Sequence, residues 1–460
     1  MLFLKGKMLN DNWTDKFIDE LYELTQTSIP ESVILQARRC LLDYLGVTLS
    51  GAKMLEKKVV RFFDFFEPVP GNSTVIGFER KANLQNAVLM NGLCAHVAEL
   101  DDGERVGMMH PGAPVISAVL SLAEQENISG EKLLMGIVVG YEAALRVAGA
   151  IQPSTKDRGY HATGTCGTIG AAMGIAAILG FSKTQMKDAL SAAATGASGI
   201  LTVIHGESEL KPFNAGQAAL SGLLAAFVAR AGFKGPADVL GGKRGFFAVM
   251  ADQVDPSRLE KTLESRFAIE NIYVKPYAAC RHCHSAIDAV LKIRFEHDVK
   301  LEDVEKIKVR TYWWAVGGHE HTKIEGGSSA KMSIPYSVSV AFVTGKAGLN
   351  EFLPQWVGNV QVLSLAQKVE VCSDEELTLL VPKNRAAIVE ITTHDNRCYT
   401  ARVDLPKGEP ETALTEKELT DKFMVLGRFG GLPAARADQI IQCVFDTTLD
   451  AKKLMDLLRV

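Results

Sequence analysis

The stretch Arg158-Gly-Tyr-His161-Ala-Thr-Gly-Thr-Cys-Gly-Thr places a cation and an imidazole immediately before a long run without charged residues, 162–182. The run is rich in Gly and Ala, which predicts a buried helix in close contact with other helices. Thr163 and Thr165 are expected to cap its start, because a hydroxyl accepts from free backbone N–H groups. The start of a buried helix also suits an anionic ligand. The stretch therefore predicts a histidine aimed at a small carboxylate; the alternative is that His161 is an ordinary helix-entry residue.

The surrounding sequence continues the helical pattern. Apolar residues recur at helical spacing over 33–49, 83–100, 113–125 and 132–150, and helices return from residue 415 onward. Small residues dominate between 164 and 232, which allows helix backbones to approach closely. The uncharged run is long enough to span a membrane. Its Gly and Thr content favours a buried core helix, so no membrane association is expected.

The pattern changes near residue 270. Alternation of apolar and polar residues predicts strands over 304–312, 368–372, 387–393 and 398–403. The last two are expected to form a hairpin with its turn at 394–397, and segments 331–343 and 351–356 are expected to be helical. The predicted fold is therefore mainly α with an α+β second domain: a large all-helical domain from both chain ends (1–269 and 408–460) and an α+β domain over 270–407.

Composition limits the function classes. The chain has 460 residues, which favours two domains, with 47% hydrophobic and 23% charged residues as in ordinary globular proteins. A formal net charge of −4 argues against nucleic-acid binding, which needs a basic surface. The first residues, interrupted by Lys5 and Lys7, lack the apolar core of a signal peptide. We therefore expect a cytoplasmic protein whose eight cysteines are reduced.

Polar islands between the helices are candidates for chemistry. The first is Glu99-Leu-Asp101-Asp102, followed by His110; carboxylates there are expected to orient a histidine, although a solvated loop or a metal site has the same composition. The second is Lys211, between two helices rich in small residues, where it is either exposed or reaches into the helical core to meet a carboxylate.

Two more islands lie near or within the α+β region. Lys275-Pro-Tyr-Ala-Ala-Cys-Arg281-His-Cys-His284 stands at the domain junction, a usual place for ligand sites, although a basic surface loop is the alternative. Its last residues match the C-x-x-C-H pattern of haem attachment, but no export signal or second Cys/His pair supports haem or zinc. Tyr336, shortly after Ser333, is either a proton donor or a packing residue.

The motifs that are missing narrow the chemistry. The sequence has no phosphate-binding G-x-x-x-x-G-K-[ST], no G-x-G-x-x-G at a strand–helix junction, no H-E-x-x-H and no G-x-S-x-G. What remains is histidine, lysine, tyrosine and carboxylate. That set indicates proton transfer beside an acid group, without a cofactor.

The islands, taken in order, resemble the MmgE/PrpD family, which includes dehydratases, decarboxylases and epimerases of small carboxylic acids. The matching stretches are Ala37-Arg-Arg-Cys-Leu-Leu-Asp-Tyr-Leu-Gly, Glu99-Leu-Asp-Asp102 with His110-Pro-Gly, Gly140-Tyr-Glu, Gly159-Tyr-His161-Ala-Thr-Gly-Thr, Leu210-Lys211-Pro, Lys275-Pro-Tyr with Cys280-Arg-His and His284, and Ser333 with Tyr336. The resemblance implies a helical domain with an α+β lid, a homodimer and no metal. It also implies active-site residues at the Asp102 region and at His110, His161, Lys211, Lys275 and Tyr336.

The first functional hypothesis is a cofactor-independent lyase of the dehydratase type, acting on a small di- or tricarboxylate such as 2-methylcitrate. Lys211, Lys275 and Arg281 would hold carboxylates, while His110 or His161 would be the base. Asp102 would orient one imidazole, and Tyr336 or the second histidine would protonate the departing hydroxyl. Further substrate contacts are expected from Glu99, Asp101, Thr163, Ser333 and His284.

Three alternatives keep the same basic residues. One is an epimerase or isomerase of a dicarboxylate such as iminodisuccinate, with two bases on opposite faces of one carbon. Another is a decarboxylase of the cis-aconitate type. The third is a non-catalytic carboxylate-binding protein, which would not need His161 or Tyr336. In each catalytic case, groups from distant parts of the chain are expected to converge in a cleft between the helical body and the lid.

Overall fold

The computed structural model describes residues 12–65, 71–204, 208–260 and 266–460. The chain divides into two compact units. The helical unit contains the described residues up to Thr202, together with Leu210–Ile272 and Glu416–Val460. The α+β unit contains the described part of Val203–Glu209 and Tyr273–Thr415. The limits at 272/273 and 415/416 lie three and eight residues beyond the expected boundaries at 269/270 and 407/408.

The helices of the described residues follow the chain in this order: α1 (Trp13–Gln26), α2 (Glu31–Asp64), α3 (Leu84–Val97), α4 (Gly112–Glu126), α5 (Gly130–Ile151), α6 (Ser154–Asp157), α7 (Ala162–Ile178), α8 (Lys183–Gly196), α9 (Lys211–Arg230), α10 (Phe246–Met250), α11 (His284–Glu296), α12 (Trp313–Val316), α13 (Gly327–Met332), α14 (Ile334–Thr344), α15 (Pro354–Val357), α16 (Val360–Ala366), α17 (Glu375–Leu379), α18 (Glu416–Phe429), α19 (Ala434–Phe445) and α20 (Ala451–Leu457). The strands are β1 (Ser73–Thr74), β2 (Lys81–Ala82), β3 (Val304–Thr311), β4 (Val369–Ser373), β5 (Ala387–Thr393) and β6 (Cys398–Val403). The mainly helical fold with an α+β portion is therefore confirmed.

Helix α7 lies at the centre of the helical unit, and every one of its residues is buried. Its glycines permit this close packing. A Cβ atom on Gly170 would lie 2.7 Å from the carbonyl oxygen of Gly140 in α5, and one on Gly174 would lie 2.7 Å from that of Gly136. Backbone therefore packs directly on backbone, as the Gly- and Ala-rich sequence predicts.

The expected capping of α7 by threonine is wrong. The N-cap residue is His161, which makes no side-chain capping bond. Thr163 already lies inside the first turn, and its hydroxyl accepts instead from the backbone N–H of His110 at 3.1 Å. This hydrogen bond holds the loop that contains His110 against α7.

Two helices, α5 and α9, are long and apolar enough to cross a membrane by length and composition alone. Within the most apolar windows, 94% of the α5 residues and 61% of the α9 residues are buried. Packing inside the helical unit accounts for the apolar character of α5, since a core helix is hydrophobic on all sides.

The α+β unit is built on a four-stranded sheet with the order β4-β3-β5-β6. Strands β3 and β4 are parallel, and β3–β5 and β5–β6 are antiparallel, so the expected hairpin is confirmed. The expected single helix over 331–343 is instead two, α13 and α14, separated by Ser333. Ser333 is extended and caps α14 by accepting from the backbone N–H of Tyr336 at 3.1 Å, with a proline in the first turn.

Candidate active site

Three histidines meet in the helical unit. His96 lies in the last turn of α3, His110 lies in the loop before α4, and His161 is the N-cap of α7. The ring centroid of His96 is 5.1 Å from that of His110 and 5.9 Å from that of His161. Residues that are separated by up to 65 positions in the sequence therefore form one imidazole cluster, and two of the three were expected from the sequence.

His110 is held with a defined pattern of hydrogen bonds. Its Nδ1 lies 2.6 Å from the main-chain carbonyl oxygen of Asp102. A carbonyl oxygen only accepts hydrogen bonds, so Nδ1 carries a proton and donates. In the neutral ring the lone pair is then on Nε2. His110 is thus set up as a base at Nε2, with 13% of its side chain exposed.

His161 has the opposite tautomer. The side-chain amide nitrogen of Asn214 lies 3.1 Å from His161 Nδ1 and 3.3 Å from the carbonyl oxygen of Ile200. The carbonyl can only accept, which fixes this end of the amide as the donor. His161 Nδ1 therefore accepts, and the proton of the neutral ring is on Nε2. Burial, followed by the nearby His96 and Lys211, holds the pKa of His161 well below its usual value.

The two aspartates of the loop have different partners from those expected. The Asp102 carboxylate accepts from the Tyr141 hydroxyl at 2.6 Å and from the backbone N–H of Gly112 at 3.0 Å. Asp102 therefore orients His110 through its main-chain carbonyl, while within the described part of the chain its carboxylate bonds to Tyr141 and Gly112 and not to an imidazole. Burial, with Asp43 and Asp101 nearby, raises the Asp102 pKa from 3.8 to about 7. The carboxylate that faces imidazoles is that of Asp101.

Lys211 begins α9 and forms an ion pair with Glu99 inside the helical unit. The two side chains are only 12% and 6% exposed, so this is a mostly buried pair. Glu99 has a left-handed backbone conformation, with φ of 55°. That turn at the end of α3 directs the carboxylate towards α9. The alternative in which Lys211 reaches into the helical core to meet a carboxylate is the one that the structure supports.

In the α+β unit, Arg281 has structural partners. Its guanidinium donates to the Glu409 carboxylate, the closest contact being 2.7 Å, to the ring of His284 at 2.8 Å, and to the carbonyl oxygens of Lys407 and Pro406. These contacts use all five guanidinium N–H groups. His284 in turn donates from Nε2 to the carbonyl of Ala279. Arg281 and His284 therefore belong to the internal network of this unit, and their contact with a substrate stays a prediction.

The other expected residues of the α+β unit are also buried. The Tyr336 hydroxyl donates to the carbonyl oxygen of Glu351 at 2.8 Å, and burial raises the Tyr336 pKa. The hydroxyl of Ser333 donates to the His321 carbonyl. These partners favour packing and capping roles for both residues. Lys275 is fully buried in the same unit, and its contact with a substrate stays a prediction.

Sequence reasoning did not identify His96 or Asn214, and it noted Tyr141 only within the stretch Gly140-Tyr-Glu, without a role. The signal for Asn214 was its position three residues after Lys211, which puts both side chains on one face of α9. The signal for His96 was its place three residues before Glu99, at the end of an uncharged helix. Among the described residues, no group of three or more His, Cys, Asp or Glu side chains is arranged to hold a metal ion.

Comparisons with known proteins identify the family of the chain. The cis-aconitate decarboxylase of Aspergillus terreus is 26% identical over 95% of this chain and 93% of its own length. A cis-aconitate decarboxylase-like protein of Aspergillus oryzae is 26% identical over 97% of both chains, and the human cis-aconitate decarboxylase is 25% identical over 90% of this chain and 88% of its own. The MmgE/PrpD N-terminal domain matches residues 16–259, and the MmgE/PrpD C-terminal domain matches residues 277–447. The chain therefore belongs to the MmgE/PrpD family.

Proposed function

We propose that this chain is a cofactor-independent lyase that transfers a proton at a carbon beside a carboxylate of a small di- or tricarboxylic acid. The observation that carries the proposal is the pair of opposite tautomers at His110 and His161, next to the ammonium of Lys211. One neutral imidazole offers a lone pair and the other offers an N–H. This combination suits a reaction in which one group moves a proton while another stabilises the developing negative charge.

His110 is the proton carrier in this proposal. The neutral ring accepts a proton at Nε2, and the resulting imidazolium keeps its Nδ1–H bonded to the Asp102 carbonyl. The carboxylate of Asp101, whose Oδ2 is 3.8 Å from His110 Nδ1, stabilises the positive charge that forms. The same ring serves either direction of transfer: it takes a proton from carbon in an elimination, or returns one to carbon after loss of carbon dioxide.

His161 and Lys211 act on the substrate's charge. A neutral imidazole with its proton on Nε2 is a hydrogen-bond donor to a carboxylate or enolate oxygen, and its lowered pKa keeps it neutral at physiological pH. An ammonium group has three N–H donors, so the ion pair with Glu99 leaves donors for a substrate carboxylate. Both groups are preorganised in a buried environment, where such donors are most effective.

The relatives favour decarboxylation as the first reaction to test, because those named above are cis-aconitate decarboxylases or like them. Decarboxylation replaces a carbon–carboxylate bond by a carbon–hydrogen bond and consumes one proton, which protonated His110 supplies. Dehydration instead removes a proton from one carbon and a hydroxyl group from its neighbour, which together leave as water while a carbon–carbon double bond forms. Epimerisation needs a second base on the opposite face of the carbon, and the Nε2–H tautomer of His161 does not supply one.

A proton-NMR screen tests the proposal. Purified protein is incubated in heavy water, with a chelator present, with cis-aconitate, 2-methylcitrate, citrate and iminodisuccinate separately. We expect one of the tricarboxylates to lose carbon dioxide or water and to gain or exchange a carbon-bound deuteron. Deuterated substrate without loss of either would support an epimerase, and binding without turnover over hours would support a carboxylate-binding protein; either result would overturn the lyase proposal.

The variant His110→Gln tests whether His110 is the group that carries the proton. We expect kcat on the substrate found by the screen to fall about 100-fold or more, because the proton carrier is removed. The carbon-bound deuterium exchange should fall by a similar factor. A His110→Gln protein that is folded and turns over at the wild-type rate would exclude this role.

A further inference from the structure

His96 is the third histidine of the cluster, and nothing in the mechanism above uses it. Its side chain is completely buried at the end of α3. His110 is 13% exposed, whereas His96 and His161 are buried. A buried imidazole in contact range of two reacting groups does not need to touch substrate to affect the reaction.

The carboxylate of Asp101 lies beside both His96 and His110. Asp101 Oδ2 is 2.6 Å from His96 Nδ1 and 3.8 Å from His110 Nδ1. The first distance is a short hydrogen bond, and the second is a charge contact without a hydrogen bond. The position of one carboxylate oxygen is therefore fixed by His96, while its charge acts on His110.

The surroundings of the other ring nitrogen of His96, Nε2, indicate which protonation state the His96–Asp101 pair has. Nε2 is buried and has no hydrogen-bond partner among the residues that the structure describes. An imidazolium would leave a charged N–H unpaired there, which costs more than an unpaired lone pair. The arrangement thus favours a neutral His96 that donates Nδ1–H to an ionised Asp101. In that form the carboxylate keeps its full negative charge beside His110.

We propose that His96 is a positioning residue for the reaction: it holds the Asp101 carboxylate beside His110 and so stabilises His110 when that ring carries the substrate's proton. The inference rests on the proposed role of His110. Among the described residues, the other charged or titratable groups near the cluster are His161, the ion pair of Lys211 with Glu99, and Asp102, whose carboxyl group bonds to Tyr141 and to the backbone of Gly112. Asp101 is therefore the carboxylate that supplies negative charge next to His110.

Two replacements of His96 distinguish the roles of its two ring nitrogens. In His96→Asn the amide N–H takes the approximate place of Nδ1–H and can hold Asp101, while Nε2 is lost. In His96→Leu both nitrogens are lost. We expect His96→Leu to lower kcat by about 10- to 100-fold, the size of loss found when the hydrogen-bond partner of a metal-binding histidine is removed. We expect His96→Asn to keep most of kcat.

The pH profile of kcat/KM distinguishes this role from a purely structural one. The limb that reports His110 should move to lower pH in His96→Leu and in Asp101→Asn, because the imidazolium loses a nearby negative charge. Ser121→Ala, which alters a buried hydrogen bond to Asn91 of α3, is the control and should leave that limb in place. Each variant is checked for folding by circular dichroism and thermal unfolding.

Two results would overturn the inference. One is a folded His96→Asn as inactive as His96→Leu, which would place the function on Nε2. The other is a folded His96→Leu with unchanged kcat and pH profile. In both cases His110→Gln tests the proposed function separately. Full activity of His110→Gln would refute the role of His110. If His110→Gln is inactive but His96→Leu is as active as the wild type, only the role of His96 is refuted.

Discussion

Asn214 decides which nitrogen of His161 carries the proton. Its amide donates to His161 Nδ1 and to the Ile200 carbonyl, so the imidazole proton is placed on Nε2. In Asn214→Asp a carboxylate of nearly the same shape accepts only, so the proton moves to Nδ1 and the pKa of His161 rises. We expect kcat/KM to fall about 100-fold, because the donor to substrate is lost.

The tautomer can be read directly from nitrogen chemical shifts of the histidine rings in the wild type and in Asn214→Asp. Gln217→Glu makes the same chemical change three residues further along α9, where the amide contacts Ser221. That variant should retain activity. Wild-type kcat/KM in a folded Asn214→Asp would show that His161 does not act as a neutral donor.

The raised pKa of the single residue Asp102 predicts that the stability of the protein depends on pH. Its pKa in the folded protein, about 7, lies above the ordinary 3.8, so between these values the folded state holds a proton that the unfolded chain has released. Stability therefore falls as pH rises through this window, by at most about 4 kcal/mol. In Asp102→Asn this titration is absent.

The check is a comparison of thermal unfolding between pH 5 and pH 8. The melting temperature of the wild type, relative to that of Asp102→Asn, should decrease as the pH is raised. The asparagine keeps an oxygen to accept from the backbone N–H of Gly112. A difference that stays constant over this pH range would mean that Asp102 titrates near its ordinary value.

At the scale of the element, the contact between α5 and α7 fixes the position of His161. A methyl group on Gly170 would meet the Gly140 carbonyl oxygen and the Ala144 methyl group at 2.7 Å each. Gly170→Ala should therefore destabilise the protein by about 1–3 kcal/mol, because backbone atoms would have to move apart. Activity should fall as well, since a shift of α7 displaces its N-cap histidine.

Gly196→Ala is the matched control for this change. Gly196 is the last residue of α8, and a Cβ atom there would have no neighbour within 4 Å. That variant should be neutral or slightly stabilising, since alanine favours the helix. Denaturant unfolding of both variants, with kcat measured in parallel, gives the comparison. Equal stability of Gly170→Ala and the wild type would contradict direct backbone packing of α5 on α7.

At the scale of the whole molecule, the expected assembly is a homodimer, which we propose from membership in the MmgE/PrpD family. A homodimer has twice the chain mass of 49.8 kDa, about 100 kDa. Size-exclusion chromatography with light scattering at the concentrations used for activity assays measures this directly. A single species at the mass of one chain would exclude the dimer.

The sequence by itself predicted the helical core and the α+β region because these depend on local patterns. An uncharged run rich in Gly and Ala favours a densely packed interior, and α7 is buried along its whole length. Strict alternation gave the strands of the sheet, including the hairpin β5–β6. His110, His161 and Lys211 were also expected in advance as site residues from the polar stretches between such helices, and their part in a reaction stays a prediction.

Only the tertiary structure decided what each side chain does. Whether Asp101 or Asp102 faces an imidazole depends on the turn of a loop, and the tautomer of His161 depends on Asn214, more than 50 residues away. The donors of Arg281 are used by Glu409, 128 residues further on. Hydrogen bonds between residues far apart in sequence follow from packing, which periodicity and composition do not encode, so the chemical roles became assignable only once the contacts were known.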